Sequence, residues 1–286
     1  MKQRFLVPVF LALTWLSAFA APPAGGESRP ALRSDAFLVV SERTGETLIE
    51  RHADRPMPIA SITKLMTAMV VLDARQRLSE TLTITRDDID HLKNTGSRLR
   101  VGTRLTREEL LHLMLMSSEN RAASALARHY PGGRKAFVEA MNVKARLLGM
   151  KDTRFADSSG LDPRNLSSPR DLVRLVSASA SYPLIREFST ASERYVRLGQ
   201  RMERFANSNP LVNDPKWEVG LSKTGFIREA GRCLVMQTWV EGEPVIMVLL
   251  NSQGTWTRTA DAKRVRTWLE TAGADRLVTV ASQRGG

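Results

Sequence analysis

The period of the hydrophobic residues changes twice along this chain. Ala36-Phe37-Leu38-Val39-Val40 and Thr47-Leu48-Ile49-Glu50 are strand-like runs on either side of Arg43-Thr44-Gly45, which predicts a β-hairpin. From Ile59 the period becomes helical: Ile62, Leu65, Met66, Met69 and Val70 recur at three- and four-residue spacing. Thr106 followed by Glu109 reads as a capping box ahead of a helix carrying Leu110, Leu113 and Met114. Phe137, Met141, Ala145 and Leu148 mark another helix, with Gly149 placed to end it. Ser168-Pro169-Arg170-Asp171 is a further helix start, a capping serine with proline in the first turn. The last third returns to strands, Leu234 to Val240 and Pro244 to Leu250, parted by Glu241-Gly242-Glu243. The second run is apolar at every position, which predicts a central strand covered on both faces. A final helix is expected from about Arg258 to Thr271. This order is best explained by an α/β (α+β) fold: an antiparallel sheet formed from both chain ends, with a helical subdomain inserted.

Composition and the N-terminus place that fold. The 286 residues are 42% hydrophobic and 25% charged, ordinary for one or two globular domains and unlike a disordered or polytopic membrane chain. The single cysteine, Cys233, excludes an intramolecular disulfide and a multi-thiolate metal site, and the four histidines form no H-E-x-x-H pair. The sequence asks for no metal and no cofactor. A net charge of +12 by itself admits nucleic acid, a membrane surface or another polyanion. Met1-Lys2-Gln3-Arg4 is a basic head, Phe5 to Ala20 an apolar body, and Ala18-Phe19-Ala20 an A-x-A exit: the pattern of a secretory signal peptide. An uncleaved anchor is the competing reading, but the run is interrupted by Pro8 and is short for a span of about 20 residues. No cysteine follows the run, so lipoprotein processing is excluded. The expected layout is residues 1–20 signal peptide, 21–35 flexible lead-in, 36–272 one folded domain and 273–286 a short tail. An exported chain does not meet chromosomal DNA. We therefore expect no nucleic-acid partner, no stable membrane span after signal removal, and a charge directed at envelope polymers.

No G-x-S-x-G surrounds any serine, and no histidine sits in an obvious triad. Three other motifs stand in order: Ser61-Ile62-Thr63-Lys64 opening the first long helix, Ser118-Glu119-Asn120 between two helical segments, and Lys223-Thr224-Gly225 ending a strand-like stretch. The set S-x-x-K, S-D-N, K-T-G is that of class A β-lactamases and penicillin-binding proteins. Three residues apart on a helix, Ser61 and Lys64 project from one face, so the lysine can reach the hydroxyl. A serine hydroxyl needs a neighbouring base, and a lysine serves only when burial or a like charge lowers its pKa. Lys223 is the candidate for that charge, and Ser118 can relay a proton between the lysines. Asn120 offers an amide to orient Lys64 and hold a peptide bond. The backbone N–H of Ser61, near a helix N-terminus, faces a developing oxyanion. Thr224 offers a hydroxyl to a carboxylate, and Gly225 allows close backbone approach. Each motif alone is commonplace; in order, and in an exported chain, they point to chemistry.

With these motifs the chain resembles the low-molecular-mass penicillin-binding proteins, the serine D-alanyl-D-alanine peptidases, from about Ala36 to Leu269. Pro58 to Ala68 looks like the family's nucleophile segment and Met116 to Ala123 like its second motif. Ser159-Gly160-Leu161-Asp162 and Ser167 to Leu172 look like its middle segment. The resemblance implies a β-lactamase/transpeptidase-like fold, a periplasmic location, peptidoglycan peptides as substrates and β-lactam antibiotics as covalent inhibitors. It implies Ser61 as acylated nucleophile, Lys64 as general base and Ser118 as proton relay. Asn120 and Lys223 would bind and polarise substrate, and the N–H groups of Ser61 and Phe226 would form the oxyanion hole. Arg258 matches the basic residue that clamps the substrate's terminal carboxylate, with a solvated arginine as the alternative. Cys233 reads as a packed small hydrophobe.

A class A β-lactamase needs a glutamate in the middle loop to deacylate, and Asp157 to Asn165 contains none. The stretch after Gly225 suffices for the rest of the sheet and one helix, whereas many carboxypeptidases of the family append a β-rich domain and an amphipathic anchor. The compact form resembles the D,D-endopeptidases, which cleave D-alanyl-diaminopimelate cross-links. Endopeptidase is the preferred expectation and carboxypeptidase its near alternative. A wall-peptide sensor that is acylated without turnover and a basic wall-binding protein with accidental motifs are the non-enzymatic ones.

Overall fold

The computed structural model describes residues 29–283, with side chains to residue 271. The expected signal peptide and most of the lead-in lie outside the described residues. In chain order the strands are β1 (Ser34–Ser41), β2 (Thr47–Arg51), β3 (Met57–Pro58), β4 (Thr81–Thr83), β5 (Arg104–Thr106), β6 (Leu166–Ser167), β7 (Glu193–Leu198), β8 (Arg201–Ala206), β9 (Glu218–Ile227), β10 (Gly231–Val240) and β11 (Glu243–Ser252). The helices are α1 (Lys64–Asp73), α2 (Arg107–Met116), α3 (Asn120–Arg128), α4 (Gly133–Leu147), α5 (Pro169–Ala180), α6 (Pro183–Thr190) and α7 (Thr257–Gln283).

A five-stranded antiparallel sheet of order β2-β1-β11-β10-β9 joins the two ends of the chain. β1 lies against β11, with Ala36 opposite Leu250 and Val40 opposite Ile246. Side chains alternate between faces, so the all-apolar run of β11 divides in two. Ile246, Val248 and Leu250 enter the large core beneath the helical region, while Val245, Met247 and Leu249 enter a smaller core under α7. β1 divides likewise, with Ala36, Leu38 and Val40 on the first face and Phe37 and Val39 on the second. Continuous hydrophobicity thus reflects cover on both faces, as the sequence predicts.

The expected caps are present. Thr106 Oγ1 accepts from the N–H of Glu109, whose carboxylate accepts from the N–H of Thr106. Ser168 Oγ accepts from the N–H of Asp171 at the start of α5. Three expectations need correcting. The last helix does not stop near Thr271 but runs to Gln283. Between Thr271 and Gln283 the sequence holds one glycine, Gly273, and no proline, and a single glycine costs a helix only about 1 kcal/mol. Lys223-Thr224-Gly225 lies within β9 instead of at its end. Ser61 sits in a 3-10 turn, Ala60–Thr63, that precedes α1.

Candidate active site

The three motifs converge where edge strand β9 meets the helical region. α1 places Lys64 at its first residue, and Lys64 Nζ lies 2.8 Å from Ser61 Oγ one turn earlier. The break between α2 and α3 places Ser118 and Asn120, and Asn120 Oδ1 accepts from Lys64 Nζ at 2.8 Å. The carbonyl of Ser159, on the middle loop, accepts from the same nitrogen at 2.6 Å. A neutral amine has two hydrogens and one lone pair. With two acceptor-only oxygens taking the hydrogens, the lone pair is left to face the hydroxyl of Ser61.

Lys64 is completely buried, and burial lowers its pKa to about 7 against the opposing pull of the Asp157 and Glu119 carboxylates. The neutral amine is therefore available near neutrality through desolvation, the first of the two causes the sequence reading offered beside the charge of Lys223. Lys223 is buried too, and its own pKa is lowered by burial, then by the charges of Lys64 and Arg258. Its Nζ donates to the carbonyl of Thr224 at 2.9 Å.

Two backbone features hold Ser61. Ala60, directly before it, has φ +48°, a conformation that costs a residue with a Cβ about 1–2 kcal/mol. Gly160 packs so tightly there that a Cβ would stand 1.9 Å from the carbonyl oxygen of Ala60, at a φ of +82°. On the opposite side a Cβ on Gly225 would lie 3.0 Å from the Ser61 nitrogen. The glycine of the third motif thus admits the close approach of the Ser61 backbone.

Ser118 has φ +63°, and among the described residues its hydroxyl makes no hydrogen bond. The relay between the lysines is accordingly not hydrogen-bonded in this structure. Thr224 Oγ1 donates to Ser208 Oγ at 2.7 Å. Phe226 is 57% exposed, its ring beneath the guanidinium of Arg232. Arg258 donates from Nη1 to the carbonyls of Gly225 (2.9 Å) and Cys233 (3.1 Å), which ties α7 to the strand bearing the third motif. It is half-buried. Cys233 is fully buried, and burial pushes its thiol up to about 11, as expected of a packed hydrophobe.

Sequence reasoning gave no role to the middle-loop groups that hold α1. Asn165 Nδ2 donates to Thr63 Oγ1 (2.9 Å) and Asp157 Oδ1 (2.8 Å), and Thr67 Oγ1 donates to the Ser158 carbonyl (2.6 Å). Asp157 also accepts from Ser159 Oγ (2.8 Å) and from the N–H of Gly160 (2.7 Å). The Asp157 carboxylate is thus spent on loop structure and is not a free base for water. Glu119, the middle residue of the second motif, is buried and accepts from Ser97 Oγ at 2.7 Å. Long sequence separations hid these contacts.

A serine within hydrogen-bonding distance of a desolvated lysine, beside a glycine-bearing edge strand, is an arrangement suited to acyl transfer by the active-site serine class of enzymes. Comparison with known proteins narrows the class. The family model described as peptidase S11, D-alanyl-D-alanine carboxypeptidase, matches residues 24–254. A D-alanyl-D-alanine endopeptidase of Pseudomonas aeruginosa is 48% identical over 95% of this chain and 90% of its own length. One from Escherichia coli is 43% identical over 94% and 89%. The crystal structure of the Streptomyces K15 DD-transpeptidase superposes with a TM-score of 0.78 at 28% identity, covering 84% of this chain and 97% of that one. The chain belongs to the S11 family of serine-type D-Ala-D-Ala peptidases and has their DD-transpeptidase, β-lactamase-like fold.

Proposed function

We infer that this protein is a D-alanyl-D-alanine endopeptidase that cleaves peptide cross-links of peptidoglycan through an acyl-serine intermediate. Lys64 Nζ takes the proton of Ser61 Oγ as the oxygen attacks the carbonyl carbon of D-alanine. The resulting oxyanion is received by the N–H groups of Ser61 and Phe226. The tetrahedral intermediate collapses, breaking the C–N bond, and the departing amine takes its proton from Lys64 by way of the Ser118 hydroxyl. Water then attacks the ester with Lys64 again as base, releasing the D-alanyl carboxylate and restoring Ser61. Lys223, with the charge of Arg258 close enough to act on it, and the hydroxyl of Thr224 supply the groups that suit a substrate carboxylate. β-Lactams acylate the same serine, and residues 1–20 direct the chain to the periplasm. Among the described residues no helix is long and apolar enough to cross a membrane.

One observation carries endopeptidase over carboxypeptidase. Endopeptidase relatives are 42–48% identical to this chain, whereas carboxypeptidase relatives are 26–30% identical. The carboxypeptidase description of the family model keeps the second activity in play, since both use one acylation step. Mass-spectrometric digestion of purified cross-linked and monomeric muropeptides separates them. Cross-linked dimers should fall to monomers with wild type and persist with Ser61→Ala. Loss of terminal D-alanine from monomers with dimers intact would instead make the protein a carboxypeptidase. Labelling by penicillin without peptide turnover would make it a sensor.

A further inference from the structure

The general base needs Asn120 in one of two orientations. An amide is nearly symmetric in shape, and a rotation of its plane by half a turn exchanges oxygen and NH2. With Oδ1 toward Lys64, the amide accepts one hydrogen of the amine and helps to turn its lone pair to Ser61. With NH2 toward Lys64, the amide would donate into that lone pair and leave Ser61 without a base.

The far side of the amide shows what decides between them. Asn120 Nδ2 lies 3.0 Å from Thr95 Oγ1, and Thr95 Oγ1 lies 2.7 Å from Asp90 Oδ2. Asp90 is itself pinned by its own loop. Oδ1 accepts from the N–H groups of Leu92 (2.8 Å) and Lys93 (3.0 Å), and Oδ2 from the N–H of Thr95 (2.9 Å). Burial works against ionisation of Asp90, but these donors outweigh it and hold the carboxyl below its usual range. An ionised carboxylate only accepts. The one hydrogen of the Thr95 hydroxyl must therefore point to Asp90, and the oxygen of Thr95 can then only accept from Asn120. Hydrogen direction is set in series from Asp90 to Thr95, Asn120, Lys64 and Ser61.

We propose that Asp90 and Thr95 are positioning residues that lock the Asn120 amide with its oxygen toward Lys64, and so keep the general base aimed at the nucleophile. Neither belongs to the three motifs. They sit on the loop between β4 and β5, which also reaches across to the sheet, where Lys93 forms an ion pair with Glu229 in the turn between β9 and β10.

The proposal rests on Ser61 acylation, so the test begins by establishing that step. Wild type should be labelled by a fluorescent penicillin and Ser61→Ala should not; failure there would sink the proposed function itself. Stopped-flow acylation is then followed against pH for Thr95→Val, Thr95→Ser and Asp90→Asn. Thr95→Val keeps the shape and removes the acceptor. Asp90→Asn can donate to Thr95, reversing the hydrogen direction and turning the amide. We expect both to slow acylation at least about tenfold, the effect of one hydrogen bond of about 1.4 kcal/mol. The acid limb of the rate profile should also move to lower pH, because the protonated lysine loses an acceptor. Thr95→Ser should restore both rate and limb. A merely structural role would lower the melting temperature without moving the limb. Wild-type rates in Thr95→Val or Asp90→Asn, a slowed rate with an unmoved limb, or failure of Thr95→Ser to restore it overturns the lock. If Thr95→Val does not fold, Asp90→Asn decides by the same two readings.

Discussion

The two faces of the central sheet are packed to different ends. Under α7 the core consists of Phe37, Val39, Met247, Leu249, Val265 and their neighbours, and the buried carboxylate on that helix, Asp261, is held by several donors. Asp261 accepts from the N–H groups of Arg33 and Ser34, from Ser34 Oγ and from Arg264, so it closes the sheet's first strand onto the last helix. The opposite face carries a larger apolar core but also buries Lys64 and Lys223, neither of which hydrogen-bonds a carboxylate. Two non-glycine residues with positive φ lie there, Ala60 beside Ser61 and Ser118 in the second motif. The carboxylate buried on one face is held by donors; the other face holds amines out of water, at a cost in stability, and that desolvation lowers the Lys64 pKa to about 7.

The sharpest way to break this contrast is Lys64→Met. Acylation should fall on the order of a thousandfold or more, as when a member of a nucleophile–base pair is removed. The variant should nevertheless melt higher. The folded-state pKa of Lys64 is lowered from 10.5 to about 7, so between those values the unfolded chain binds more protons and wild-type stability rises with pH. Below about 7 the buried ammonium exerts its full penalty. At pH 6 the melting temperature of Lys64→Met should exceed that of wild type by about 2–4 °C for each kcal/mol recovered. A lower melting temperature would show that the buried amine stabilises the fold. Wild-type acylation should rise through the same pH, falling about tenfold per unit below it.

Asp261→Ala probes the other face. It leaves two backbone N–H groups and a hydroxyl without their acceptor and should cost on the order of 3 kcal/mol in denaturant titrations. Acylation of the folded fraction should stay within about twofold of wild type, since the change touches no substrate. A large loss of acylation at full stability would refute the division of labour between the faces.

Arg258 is where the faces meet, because α7 supplies a cation to carbonyls of β9 and β10. Arg258→Ala should reduce kcat/KM on a D-alanyl-D-alanine peptide by about tenfold, mainly through KM. A fall in kcat alone would place its effect on Lys223 in the chemical step. The smallest effect is expected at Cys233. Buried, with its thiol held up at about 11, it should resist thiol reagents in the native state and react only on unfolding. Rapid native labelling would show that β10 opens.

Much of the site was legible because its central contact is local. Ser61 and Lys64 lie one turn apart, so their meeting needs only a helical turn. The hydrophobic period likewise revealed β1, β2, β10, β11 and the helices α1, α2 and α4, and the capping residues marked where α2 and α5 begin, whereas α6 carried no such signal in the reading. Other contacts were not legible. Ser159 reaches Lys64 across 95 positions of sequence and Thr95 reaches Asn120 across 25, through loops whose polar residues have no period to read. Lys223-Thr224-Gly225 looked like a turn because a lysine in mid-strand contradicts a buried strand, until the cleft that needs it is seen. The end of α7 was misplaced because its sequence contains no strong stop.

By itself the sequence determined the fold class, the order of the three motifs and the pairing of Ser61 with Lys64, because these depend on short-range spacing and on the burial that hydrophobic runs demand. Only the tertiary structure decided how the base is tuned and aimed. Desolvation of Lys64, the approach of Gly160 and Gly225 to the nucleophile, and the hydrogen direction that runs from Asp90 to Asn120 all require segments far apart in sequence to be packed within hydrogen-bonding distance. No local pattern encodes that distance.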